Sequence, residues 1–266
     1  MTFHRQLFHL TYLVGLLSLY SSASIAQTIN LYSYHLDPPF HLEASSTDLT
    51  VEFINRLNQV QSEHKFKLIV INRPELNRKL IDQEPYLILW ANPIWFKSKD
   101  KNVMATNNIF WDADIWVSHQ SNPVSYNVPS DLIGKHIGGR YGYFYQGVTQ
   151  LIKSNKIKAT LQRSDMENAK MLLEKKIDAF VMSRSSYLYW KAINQDTSKY
   201  SVSISPHDAY QRHVLVSQHN QFLLPMLNKF ISELKLDENW NNKMKLLGVD
   251  ALVEPMELEL NELLEY

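Results

Sequence analysis

The chain has 266 residues, with 27 Lys+Arg against 27 Asp+Glu, 45% hydrophobic residues and no cysteine. This balance suits one large or two smaller folded domains and excludes a disordered chain. Zero net charge argues against a nucleic-acid partner, and the absent thiols exclude disulfides, thiolate metal centres and a lipid-modified cysteine.

Arg5, an apolar run from Leu7 to Tyr20 and small Ser24 and Ala26 form the pattern of a Sec-type signal peptide, residues 1–26, cleaved before Gln27. The run is shorter than a bilayer span and is broken by His9. The mature chain is therefore expected to be soluble and periplasmic. Ile29–Tyr34 alternates as a strand, and Asp37-Pro-Pro-Phe40 stops it. Asp48–Val60 reads as an amphipathic helix capped by Asp48. Phe66–Ile71 is a strand, Pro74–Asp82 a helix and Tyr86–Trp90 a buried strand. This β-α-β-α-β order predicts a parallel sheet covered by helices. Strand Ile115–His119 leads to a second run: strands His136–Gly139, Lys158–Gln162 and Ile177–Met182, with helices Gly147–Asn155, Met166–Lys175 and Ser185–Ile193. A strand His213–Ser217 and helices Gln221–Leu234 and Asp237–Leu246 close the chain. The acidic tail after Gly248 reads as a terminal amphipathic helix or a frayed end.

Several segments carry a resemblance. Ser130-Asp-Leu-Ile-Gly-Lys-His-Ile-Gly-Gly139, Lys175-Lys-Ile-Asp-Ala-Phe-Val181 and Ser217-Gln-His-Asn220 resemble, in order and spacing, bacterial extracellular solute-binding proteins of family 3. Asn92-Pro-Ile-Trp-Phe96 and Phe110-Trp-Asp112 resemble a Trp-rich divergent branch of that family. The resemblance spans about residues 28–249 and implies an α/β, type II periplasmic-binding-protein fold: two α/β lobes joined by two hinge strands. It implies lobe 1 at 27–115 with a return at 215–249, lobe 2 at 116–214, and an acidic tail at 250–266. The implied function is capture of a small-molecule ligand for an ABC permease, as in periplasmic amino-acid transport; a membrane receptor is the alternative partner. A monomer is expected.

Cleft positions are those following strands. They give Tyr34, Phe40, Arg73, Asn92 and Trp95 in the first lobe, with Trp111 entering the first hinge. In the second lobe they give Arg140, Tyr141, Tyr143, Ser183 and Arg184, with Tyr210 and Arg212 entering the second hinge. The Gly139–Tyr145 turn is expected to offer backbone N–H groups and the Arg140 charge to an anion. The clustering of rings at strand ends predicts a ring-lined cleft.

Two departures from the family bear on the ligand. Amino-acid-binding members carry an Arg after the third lobe-1 strand, where Asn92–Lys101 has lysines but no Arg, and lysine lacks the planar fork. They also carry an Asp for the ammonium where Ser183 or a neighbour stands. A ligand other than an ordinary α-amino acid is expected. No catalytic residues are assigned: there is no nucleophile elbow or Walker loop, and the Asp112/Asp114 pair sits on one strand face without a partner role. The ten histidines lack metal-ligand spacing, and no metal or cofactor is expected.

Overall fold

The computed structural model describes residues 27–42, 48–82, 84–96, 102–193 and 196–255. The expected signal peptide, 1–26, and the end of the acidic tail, 256–266, lie outside the described residues.

Strand β1 (Gln27–Ser33) is followed by helix α1 (Leu49–Val60), β2 (His64–Val70), α2 (Arg73–Ile81) and β3 (Leu87–Ala91). The local chemistry sets each boundary. Asp48 accepts from the Val51 N–H at 2.8 Å and caps α1, whose Phe53, Ile54 and Leu57 are buried. Asn72 caps α2 in the same way through Glu75 N–H at 2.9 Å. β1 pairs in parallel with both β2 and β3. All five residues of β3 are buried, as a strand covered on both faces requires.

After β4 (Met104–Ala105), the long strand β5 (Phe110–His119) leads into β6 (His136–Arg140), α3 (Val148–Lys153), β7 (Lys158–Gln162), α4 (Asp165–Leu173), β8 (Ala179–Ser183) and α5 (Arg184–Ala192). Ser164 and Glu167 form a capping box that starts α4. β6 pairs in parallel with β7 and β8. A short β9 (Tyr200–Val202) and a long β10 (Asp208–Val216) precede α6 (Leu224–Leu236) and α7 (Glu238–Leu246).

The strands join in the order β2-β1-β3-β10-β5-β8-β6-β7, with β4 on β10 and β9 on β5. β5 and β10 pair antiparallel, Asp112 opposite Tyr210 and Phe110 opposite Arg212. β10 then pairs antiparallel with β3. The sheet thus has two parallel halves stitched by two long crossing strands. Each half has its own apolar clusters. In the first, Trp90 stacks on Phe110 at 5.1 Å, and Phe110 stacks on Trp240 at 6.1 Å. Many rings are therefore core, and the expectation that the strand-end aromatics line a cleft holds for only part of them.

Candidate ligand-binding cleft

A cavity of about 890 Å³ opens where the two halves meet. From the first half, Tyr34, His35, Asp37 and Phe40 follow β1, Arg73 starts α2, and Asn92 and Trp95 follow β3. From the second, Arg140 ends β6, Tyr143 and Tyr145 follow it, Asp165 starts α4, and Ser183 ends β8. The crossing strands supply Trp111 and Asp114 from β5, with Tyr210 and Arg212 from β10. All converge because parallel strands in each half end at the same edge.

Two residues chosen from sequence fall outside this wall. Tyr141 is 56% exposed, because the alternation that turns Arg140 inward turns its neighbour outward. Arg184 is the first helical residue of α5 and points to the Ala251 carbonyl at 3.5 Å, while its N-cap Ser183 faces the cavity. The β6 turn also differs from an anion cradle. Three of its N–H groups bond within the protein: Arg140 N–H donates to the Tyr145 hydroxyl at 3.0 Å, Tyr141 N–H to the Gln162 carbonyl at 3.1 Å, and Tyr145 N–H to the Thr149 hydroxyl at 2.9 Å.

Arg140 itself is engaged. Its Nη1 donates to the Asp37 carboxylate and to Asp165 Oδ1 at 3.1 Å. Asp165 N–H donates to the other Asp37 oxygen at 3.1 Å, and Ser186 Oγ donates to the Pro38 carbonyl at 2.7 Å. Asp37 and Pro38 belong to the first half, the others to the second, so these bonds span the cavity's edge. Burial and the like charge of Asp37 push the Asp165 carboxyl up, despite the shared Arg140. Gly142, at φ +78°, lets the turn approach α2; a Cβ there would lie 3.1 Å from Pro74.

A second charged cluster lies in the crossing strands. Arg212 Nε donates to Asp112 Oδ2 at 2.7 Å, Nη1 to the Trp90 carbonyl at 2.8 Å, and Nη2 to the Tyr210 hydroxyl at 3.3 Å. Asp112 also accepts from Ser185 N–H at 3.0 Å and Ser185 Oγ at 2.7 Å. This pair is almost wholly buried and fully hydrogen-bonded, as a buried ion pair must be. Arg212 Nη1 lies 3.2 Å from His35 Nε2. Burial, then the charges of Arg212, Arg73 and Arg140, hold that imidazole neutral, well below its usual pKa.

Two cavity charges are placed differently. Asp114 Oδ1 accepts from the Tyr210 hydroxyl at 2.8 Å, and burial raises its carboxyl to about 7, with the Asp112 charge adding to the rise and the Tyr210 bond opposing it. Arg73 donates to the Trp95 carbonyl at 2.9 Å and Asn77 Oδ1 at 3.0 Å, and lies over the Phe96 and Tyr34 rings at 4.0 and 5.0 Å. Among the described residues neither Asp114 nor Arg73 has an ion-pair partner, whereas Arg140 and Arg212 do. The Tyr34 hydroxyl is buried, and Arg73, which lies over its ring, is the charge next to it.

His35, Asp37 and Asp165 line the cavity without being expected there, whereas Arg212 stands where the second hinge is expected. Their signal is weak in one dimension: Asp37 sits 103 residues from Arg140 and 128 from Asp165.

No family model and no curated protein matches the chain. Solved structures do. A mutant of ArgBP from T. maritima is 16% identical, with a TM-score of 0.65 over 82% of this chain and 93% of that one. The GluR0 ligand-binding core from Nostoc punctiforme, in complex with L-glutamate, is 17% identical, with a TM-score of 0.66 over 83% and 99%. The substrate-binding protein of an amino acid ABC transporter is 16% identical, with a TM-score of 0.64 over 82% and 97%. With the sheet order and the cleft, these likenesses define the class: the chain has the α/β fold of the type II periplasmic binding proteins.

Proposed function

We propose that this is a periplasmic solute-binding protein, which captures a small polar or aromatic organic solute in a cleft and delivers it to an ABC-type importer. The lobes would be residues 27–115 with 215–249, and residues 116–214. The cavity carries this reading: about 890 Å³, walled by aromatic rings and by charges of both signs drawn from both halves. Its size suits a small organic molecule. The bonds of Asp37 and Pro38 to the opposite half are those of a closed clamshell, and closure buries a ligand without making or breaking a bond.

The likeness to an ABC transporter's substrate-binding protein supports import. The likeness to the GluR0 ligand-binding core supports a second reading, a sensory module that docks on a membrane receptor. Neighbouring genes separate the two: a permease and ATPase for import, a signalling protein for sensing. The wall residue Ser183 in place of a family carboxylate supports a ligand that is not an ordinary α-amino acid.

A thermal-shift screen of the purified protein against a metabolite library tests the reading. A bound solute should raise the melting temperature and compact the protein in solution scattering. Chemical turnover of a solute without compaction would overturn it in favour of an enzyme.

A further inference from the structure

The cavity's charges can be counted by partner. Arg212 pairs with Asp112, and Asp37 and Asp165 share Arg140. Two wall carboxylates have no cation among the described residues: Asp208, which is exposed at the start of β10, and Asp114, which sits deeper and holds one neutral hydrogen bond, from Tyr210. Its surroundings suit an organic cation. The Tyr210 ring, whose hydroxyl fixes the carboxylate, meets the Trp95 ring edge-on at 4.7 Å, and both rings line the same cavity. Such ring faces attract a positive nitrogen while excluding water.

We propose that Asp114 is the cation anchor of the cleft, and that the solute presents to it a positively charged nitrogen, an ammonium or amidinium, carried on an apolar or ring-bearing body. This rests on the solute-binding reading above and names the class of ligand. Arg73, on another part of the wall, stays open to an acidic or polar group at the far end of the same molecule.

Matched probes that differ only at the nitrogen test this: phenethylamine against 2-phenylethanol, and 5-aminopentanoate against 5-hydroxypentanoate, titrated by calorimetry at pH 8. The charged member of at least one pair should bind about tenfold or more tightly than its alcohol, as expected for one buried charge-assisted bond. Asp114→Asn should abolish that preference and keep its melting transition, since the amide is isosteric. Tyr210→Phe, which frees the carboxylate from its donor, should retain the preference. Binding of both pair members with equal affinity, or a preference unchanged in Asp114→Asn, would overturn the anchor and leave the solute-binding reading standing. No binding by any probe would overturn the anchor; failure of the full metabolite screen as well would overturn both.

Discussion

Arg140 and Arg212 face the same cavity, one at the end of β6 and the other midway along β10, yet they belong to different parts of the machine. Arg212 on β10 pairs with Asp112 on β5, and those strands are hydrogen-bonded neighbours. Its ion pair is held by the ladder, whatever the cleft does. Arg140 pairs with Asp37, which belongs to the segment after β1 in the opposite half. That bond exists only while the halves are together. An ion pair within a ladder is a fixture, whereas one across a gap depends on closure.

The largest expected effect tests the fixture. Arg212→Met leaves the Asp112 carboxylate buried without its cation and should cost about 3–5 kcal/mol in urea unfolding. A loss below about 1 kcal/mol, the scale of an exposed pair, would remove the distinction. Next, Arg140→Ala should weaken binding of any solute found in the screen about tenfold, or ~1.4 kcal/mol, with a more extended scattering profile. Unchanged affinity and compaction would show that closure does not depend on this bond.

A third test uses acidity in the unligated protein. Asp114 is raised from 3.8 to about 7, so its stabilising contribution is present in the protonated form and is lost as pH rises through about 7. Asp112, Asp208, Tyr210 and Arg212 face it in both proteins compared, so their own titration largely cancels. Asp114→Asn should therefore melt higher than the wild type at pH 8, with the gap closing toward pH 5; a gap independent of pH would refute the raised carboxyl. The smallest effect belongs to Tyr141→Ala, which removes a ring that lies outside the cavity. Solute affinity should change by less than about twofold, the size of an ordinary surface substitution.

The parallel halves were legible because alternation, buried runs and caps act locally. Lys158–Gln162 is a strand in both readings, and Asp48 caps α1 as expected. Periodicity marks the crossing strands only at their apolar ends, as Ile115–His119 and His213–Ser217, and the resemblance implies them as hinges; they run Phe110–His119 and Asp208–Val216. The polar stretches that periodicity leaves out carry Asp112, Asp114, Asp208 and Arg212, whose partners lie on other strands. Strands β4 and β9, of two and three residues, are too short to show a period. The site followed the same rule. Positions after strands were found, while Asp37 and Asp165 were missed because their meeting is a product of topology. The resemblance implies a carboxylate after β8, where Ser183 or a neighbour stands; the structure has Asp114 directly opposite Ser183 in register, one strand away.

The shared strand β10 also fixes an order of events. The second half has all of β5 to β9 by residue 202, whereas β3 must wait for residues 213–216 to cover its open edge. As the chain is made or unrolled from its N-terminus, the later half can become whole first, and the earlier one stays unfinished, with the edge of a buried strand exposed. Pairings of such long sequence separation form slowly. The vulnerable interval in the life of this molecule thus belongs to the part synthesised first, and it ends only when the last crossing strand arrives.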